Sequence, residues 1–286
     1  MKILEKNISN TQVIENFAKV NAKLLVFPLL LLGMIILFLY SQGALSAQMY
    51  AEFQKECFLS INKTLSQYPV FHENITQMGD ALVMLSLLSV FFLYAPKMWE
   101  ALITSSLLSL IFSAVLKNLL DVPRPATIFD SQEFTIIGKM AVGYSSCPSG
   151  HSITIFTSLT VLMLAFLPSK WLNQIVWCFA IVALGLFMAF SRVTVGAHLP
   201  LDVVIGSAIG FICGVLGIII SQKYKIFGWI SNYKFQLFFI VLFATCCALL
   251  VYDLTKHGLV VVYGALLSLI VSLFLITKEY VKKNKR

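Results

Sequence analysis

Long apolar blocks separated by short polar stretches dominate the chain. A bilayer crossing needs about 20 apolar residues, and on that measure the blocks predict spans near 24–45, 81–96, 101–120, 152–168, 171–190, 201–221, 235–254 and 258–277. The period-2 alternation of a barrel strand is absent. Backbone exposed to lipid must bond within its own segment, so these eight spans are expected to be helices. The 81–96 block is short and is expected to borrow Met78 and Gly79. The first block is followed by small residues that imitate a signal cleavage site, Gly43, Ala44, Ser46 and Ala47. Its apolar core, Leu24 to Tyr40, exceeds a signal h-region and has a polar-rich segment before it, which predicts an uncleaved anchor.

Two further stretches are amphipathic. Residues 9–23 put Val13, Ile14, Phe17 and Val20 on one stripe, with Ser9 and Gln12 spaced as a capping box, and predict a helix on the inner membrane surface. Between the first two spans Tyr50, Phe53, Phe58, Ile61 and Leu65 recur at near-helical spacing. Interfacial packing is the expectation for them, ahead of substrate contact.

Composition agrees with the pattern. The chain is 59% hydrophobic and 12% charged, against roughly 45–50% and 25% in soluble domains, and its mean hydropathy is +0.87. Disorder, coiled coil and a secreted disulfide scaffold are excluded. A net charge of +8 suits nucleic acid or a membrane, and the placement of the charges decides. With the N-terminus inside, fourteen lysines and arginines fall on the inner side: Lys2, Lys6, Lys19, Lys23, Lys97, Lys170, Lys223, Lys225, Lys234, Lys278, Lys282, Lys283, Lys285 and Arg286. Seven fall outside: Lys55, Lys63, Lys117, Arg124, Lys139, Arg192 and Lys256. Both termini are therefore expected in the cytoplasm, and the charge reads as topology, with no nucleic-acid partner.

The cysteines form no C-x-x-C metal pattern. Cys178, Cys213, Cys246 and Cys247 read as packing residues. Cys57 and Cys147 fall on the outer side, where oxidation permits a disulfide, but two unpaired thiols are the favoured expectation. The triplets Asn62-Lys63-Thr64 and Asn74-Ile75-Thr76 have glycosylation spacing, which is common by chance.

Three polar clusters stand at the outer ends of spans, where ionisable residues are costly and usually mark function. Lys117 and Arg124-Pro125 close the third span; Pro123 should end that helix near Asp121, leaving Lys117 on the last turn. Membrane-edge snorkelling is the bland alternative. Pro148-Ser149-Gly150-His151 precedes the fourth span, where free amides, a hydroxyl and a glycine make an anion site with a histidine beside it; a plain helix cap is the alternative. Ser191, Arg192, His198 and Asp202 join the fifth and sixth spans. If a helix starts at Pro200, His198 and Asp202 stand one turn apart, so the carboxylate can hold one imidazole nitrogen and leave the other nucleophilic. A hydrogen-bonded structural histidine is the alternative there. On this topology all three clusters share one side, and Lys117, Arg124 and Arg192 call for an anion; a phosphoryl group fits, because its charge is spread over several oxygens.

Lys117, six residues, Arg124-Pro125; Pro148-Ser149-Gly150-His151; and Ser191-Arg192, five residues, His198, three residues, Asp202 together resemble the three-part signature of the type 2 phosphatidic acid phosphatase family, related to vanadium haloperoxidases. The signature region covers 117–202. The resemblance implies an all-α, polytopic membrane bundle with a six-span phosphatase core over 24–221; the cytoplasmic amphipathic segment over 1–23 and the two additional spans with a basic tail over 222–286 lie outside that core. It implies His198 as nucleophile, Asp202 as its orienter and His151 as acid and base. Lys117, Arg124, Ser149, Gly150 and Arg192 would bind the phosphoryl oxygens, with no metal or cofactor. The family's substrates are lipid phosphates and diphosphates: phosphatidate, phosphatidylglycerophosphate, undecaprenyl diphosphate and lipid A. A bacterial inner-membrane hydrolase with its site on the outer face is the leading expectation. A head-group transferase using the same site, and a carrier that only binds phosphate, stay open beside it.

Overall fold

The computed structural model describes residues 2–284, and every regular element among them is helical. Lys285 and Arg286 of the charge count lie outside the described residues. In chain order the helices are α1 (Lys2–Phe17), α2 (Val26–Ser41), α3 (Ala47–Phe53), α4 (Lys55–Leu65), α5 (Pro69–Gln77), α6 (Ala81–Leu88), α7 (Pro96–Leu120), α8 (Pro125–Ile128), α9 (Gly150–Ala165), α10 (Trp171–Thr194), α11 (Pro200–Tyr224), α12 (Gln236–His257) and α13 (Val260–Asn284). Six helical stretches among them are long and apolar enough to cross a membrane, and the bent pair α5–α6 makes a seventh. This is a polytopic helical membrane protein.

The eighth expected span is α9. It has 16 residues, about 24 Å at 1.5 Å per residue, short of the roughly 30 Å hydrocarbon core. Its surface is mostly buried, because α7, α10 and α11 pack around it. Glycines permit the closest of these contacts: a Cβ on Gly210 of α11 would stand 2.5 Å from the Ile153 carbonyl of α9, and one on Gly206 2.7 Å from that of Ser149. On the periphery, α2 turns Phe27, Leu30 and Leu37 outward, the arrangement expected of a helix facing lipid.

Helix boundaries follow local chemistry. Pro96 and Pro200 sit in the first turns of α7 and α11, where a missing N–H costs nothing. α7 ends at Asp121, whose φ of +45° is left-handed, and Pro123 follows. Ser149 caps α9 by accepting from the Ser152 amide.

Three expectations are corrected. The 81–96 block does not borrow Met78 and Gly79: Asp80 accepts from the Leu82 and Val83 amides and starts α6 afresh, at 72° to α5. Ser9 is no cap, because α1 runs through it from Lys2. The stripe from Tyr50 to Leu65 is divided between α3 and α4.

The bundle has two distinct ends. At one, Asn16 of α1 donates to the carbonyls of Ala165, which ends α9, and of Leu167 just beyond it, Gln222 of α11 donates to the Phe17 carbonyl, and the Lys97 amide of α7 donates to Asn10. Val13 and Phe17 are buried there, so α1 is docked on protein. At the other end, α3 to α5, α8 and the 129–149 loop cover the polar clusters.

Candidate active site

The third cluster is built at the junction of α10 and α11. The Arg192 carbonyl accepts from the Ala197 and His198 amides, closing a turn through Gly196, whose φ of +77° favours glycine. His198 follows, 1% exposed. One turn on, Asp202 is fully buried, and its Oδ2 accepts from the Leu199 amide at 2.9 Å while the Asp202 amide donates back to the Leu199 carbonyl. His198 Nδ1 lies 3.5 Å from Asp202 Oδ2, and Nε2 lies 3.4 Å from Arg124 Nη1. A guanidinium only donates, so this arrangement puts the ring proton on Nδ1 and the lone pair on Nε2.

Two hydroxyls complete the carboxylate's shell. Ser146 donates to Asp202 Oδ2, and Tyr50 of α3 donates to Oδ1 at 2.9 Å. Burial, and then the Asp202 carboxylate beside it, push the Tyr50 phenol well above its ordinary value and keep it a donor. The same two causes push the neighbouring Cys147 thiol up, which makes it inert. Burial pulls His198 down to about 4; the Asp202 hydrogen bond opposes that shift, and the nearby Arg192 and Arg124 charges reinforce it.

The second cluster meets the third from α9. The Ser149 amide donates to the Asp202 carbonyl at 3.0 Å, locking the two turns together. Gly150 faces α7: a Cβ there would stand 3.2 Å from Lys117 Nζ and 3.6 Å from Ser113 Oγ. The His151 ring rests on Gly79, where a Cβ would come within 2.7 Å of His151 Cβ. Arg124 begins α8, and its Nη1 and Nη2 donate to the Ala197 and Ser145 carbonyls at 3.3 and 3.4 Å. Arg192 Nη1 donates to Thr76 Oγ1 at 2.9 Å, while its buried Nε has no protein partner.

Thus Lys117, Arg124, Ser149, Gly150, His151, Arg192, His198 and Asp202 all stand at one end of the bundle. Arg124 and Arg192 line a cavity of about 590 Å³ at that end, with Lys139 and Glu73. Gly150 and His151 line a second, of about 470 Å³, that descends between α6, α7 and α9 beside lipid-facing Leu107 and Leu110. Among the described residues no three His, Cys, Asp or Glu side chains gather as metal ligands.

Sequence reasoning missed four contributors. Tyr50 was one member of an apolar stripe, and only its hydroxyl set it apart. Ser146 lies two residues before the recognised turn. Asn62 and Thr76 belong to the two glycosylation-type triplets: Asn62 is fully buried and donates to the Thr135, Val193 and Thr194 carbonyls, clamping the end of α10. Phe58 of the same stripe as Tyr50 is fully buried inside the protein, edge-on to Phe134 at 5.0 Å. Cys57 and Cys147 are both free thiols.

No curated protein matches the chain. A crystal structure of Aquifex aeolicus LpxE aligns with a TM-score of 0.49 and 26% identity, over 58% of this chain and 95% of that one. Residues 99–226 match the family described as PAP2 superfamily. All three parts of the signature lie within those residues, and the fold brings them to one site, so residues 99–226 of this chain are similar to the PAP2 superfamily.

Proposed function

We propose that the protein hydrolyses a phosphomonoester or diphosphate on a membrane lipid through a phosphohistidine at His198. The observation that carries this reading is the His198 geometry: Nδ1 faces Asp202, and Nε2 faces the guanidinium of Arg124. A phosphoryl group placed among Lys117, Arg124, the Ser149–Gly150 turn and Arg192 would meet the Nε2 lone pair, with its oxygens against fixed positive charge. Nε2 attacks phosphorus, the bond from phosphorus to the lipid oxygen breaks, and His151 gives that oxygen a proton. Water then attacks the phosphohistidine, His151 takes a proton from the water, and phosphate leaves as Nε2 recovers its lone pair. Arg192 Nε, buried without a protein partner, is available to a phosphoryl oxygen.

The groove below His151 supports a lipid leaving group. It opens between α6 and α7 beside exposed leucines, so a hydrocarbon chain can remain in the bilayer while its head reaches His151. The lysine and arginine distribution supports cytoplasmic termini and a site at the outer leaflet of a bacterial inner membrane. The three cations supply the positive charge of the site, so no metal is assigned a step.

Phosphate release by detergent-purified protein over a panel of lipid phosphates and diphosphates tests the reading. Wild type should release phosphate from at least one lipid, equally in EDTA, and His198→Ala should release none. Near wild-type turnover by His198→Ala would overturn the nucleophile assignment, and activity that EDTA removes and magnesium restores would overturn the metal-free chemistry.

A further inference from the structure

The residues of the proposed reaction come from α7, α9, α10, α11 and the loops between them, and the C-terminal pair α12–α13 contributes none. α13 is nevertheless tied to the broken span α5–α6 by polar contacts along its first half. The Val261 amide, an orphan donor of the first turn of α13, donates to Asn74 Oδ1 of α5 at 3.0 Å, and Asn74 Nδ2 donates to the Val70 carbonyl at 2.8 Å. Lower down, Ser268 donates to the Leu87 carbonyl at 2.9 Å, and the Ser272 and Ser89 hydroxyls meet at 2.9 Å.

What α5–α6 holds in turn is the catalytic end. α5 has only 9 residues, too few to stand as a helix unless tertiary contacts hold it. Its penultimate residue, Thr76, is buried, and Thr76 Oγ1 accepts from Arg192 Nη1 at 2.9 Å. Three residues on, Gly79 is the floor beneath the His151 ring. One short break therefore supports both a phosphate-facing guanidinium and the proposed acid.

We propose that Thr76 is a positioning residue for Arg192, and that α13, through Asn74, is the brace that fixes Thr76. Arg192 is a long side chain whose fork must be aimed before it can take two phosphoryl oxygens. The Thr76 hydroxyl pins one nitrogen of the fork and leaves Nε to the ligand. This gives the two spans beyond the matched family region a function: they stiffen the broken span. The inference rests on the phosphatase reading for its kinetic consequence, but the aim of Arg192 can also be read by anion binding alone.

The test uses the full-length protein with inorganic orthovanadate as the binding probe, measured by calorimetry, alongside lipid phosphate turnover. Thr76→Val keeps the shape and removes the acceptor, and should weaken vanadate binding and lower kcat/KM by about tenfold or more, the size of one hydrogen bond to a charged group. Thr76→Ser should restore both. Asn74→Ala should weaken vanadate binding in the same direction with Thr76 intact, and Asn74→Asp, which retains the acceptor for the Val261 amide, should stay near wild type. Unchanged vanadate affinity in Thr76→Val would overturn the positioning role, and unchanged affinity in Asn74→Ala would overturn the brace. Equal loss in Thr76→Val and Thr76→Ser would reduce Thr76 to packing and also overturn it. If wild type binds vanadate but releases no phosphate from any lipid, the phosphatase reading fails, and the binding arm still decides the inference.

Discussion

His198 holds a neutral imidazole because burial removes the water that would stabilise its charged form, and Arg192 and Arg124 disfavour a third cation. Asp202 pulls the other way and does not win, which leaves the value at about 4 against roughly 6.5 in an unfolded chain. The lowered value has a definite sign. Between those two values the unfolded chain binds the proton and the folded one does not, so stability is full above about 6.5 and declines as pH falls toward 4. In a histidine-labelled NMR titration of detergent-solubilised protein, the resonance lost in His198→Ala should show no protonation from pH 7 to pH 5. A midpoint near 6.5 would refute the buried neutral state and with it the poised nucleophile. At this scale the sequence carried the residues whose spacing is local. His198 and Asp202 are one helical turn apart, and Pro148 to His151 form one turn, so chemistry and geometry coincide in a short string. Tyr50, Asn62 and Thr76 reach the site from segments 152, 131 and 116 positions away from their partners. No periodicity announces such a contact, and each residue had an ordinary local explanation.

Along the helices, the contact between α9 and α11 decides whether the two halves of the site meet. α9 carries Ser149 to His151 near its first turn and α11 carries Asp202 near its own, so a shift of one against the other separates the proposed acid from the proposed orienter. Gly210 and Gly206 let the backbones touch. Alanine at Gly210 should favour the helix by about 1 kcal/mol on propensity alone. Its Cβ would instead stand 2.5 Å from the Ile153 carbonyl and 2.8 Å from Phe156 Cβ, and a clash with backbone in a packed core costs about 1–3 kcal/mol. The clash should win: Gly210→Ala is expected to melt at lower temperature in detergent and to lose most turnover, whereas Gly33→Ala, with nothing within 4 Å, should lose neither. A higher melting temperature for Gly210→Ala would show that α11 has room to move. The spans themselves were legible from hydropathy because lipid imposes length and apolarity on each. The break at Met78 to Asp80 was not, since a helix that restarts at a capping aspartate next to apolar residues has the same hydropathy as one that continues.

For the whole molecule, the two ends differ in what they do, and the orientation proposed for them can be tested with a native residue. The docked α1, the start of α7 and the ends of α9 and α11 gather at one end, and Lys97 pairs there with buried Glu100 at 2.6 Å. The residues of the proposed reaction gather at the other, under α3 to α5. Cys57 of α4 is exposed in that outer layer, while Cys147 beneath it is 2% exposed, and neither is bridged. The remaining cysteines, Cys178, Cys213, Cys246 and Cys247, lie in α10, α11 and α12, within apolar stretches that a charged reagent does not enter. A membrane-impermeant maleimide added to intact cells should therefore label the wild type once, at Cys57, and Cys57→Ser should remain unlabelled. A cysteine placed at Lys283 in the Cys57→Ser background should react only after the membrane is opened, because the proposed topology puts the end of α13 inside. Labelling at position 283 but not at Cys57 in intact cells would invert the orientation and place the proposed phosphatase chemistry on the cytoplasmic leaflet. Labelling at both would break the two-sided arrangement itself, because α13 would then end on the same side as the site.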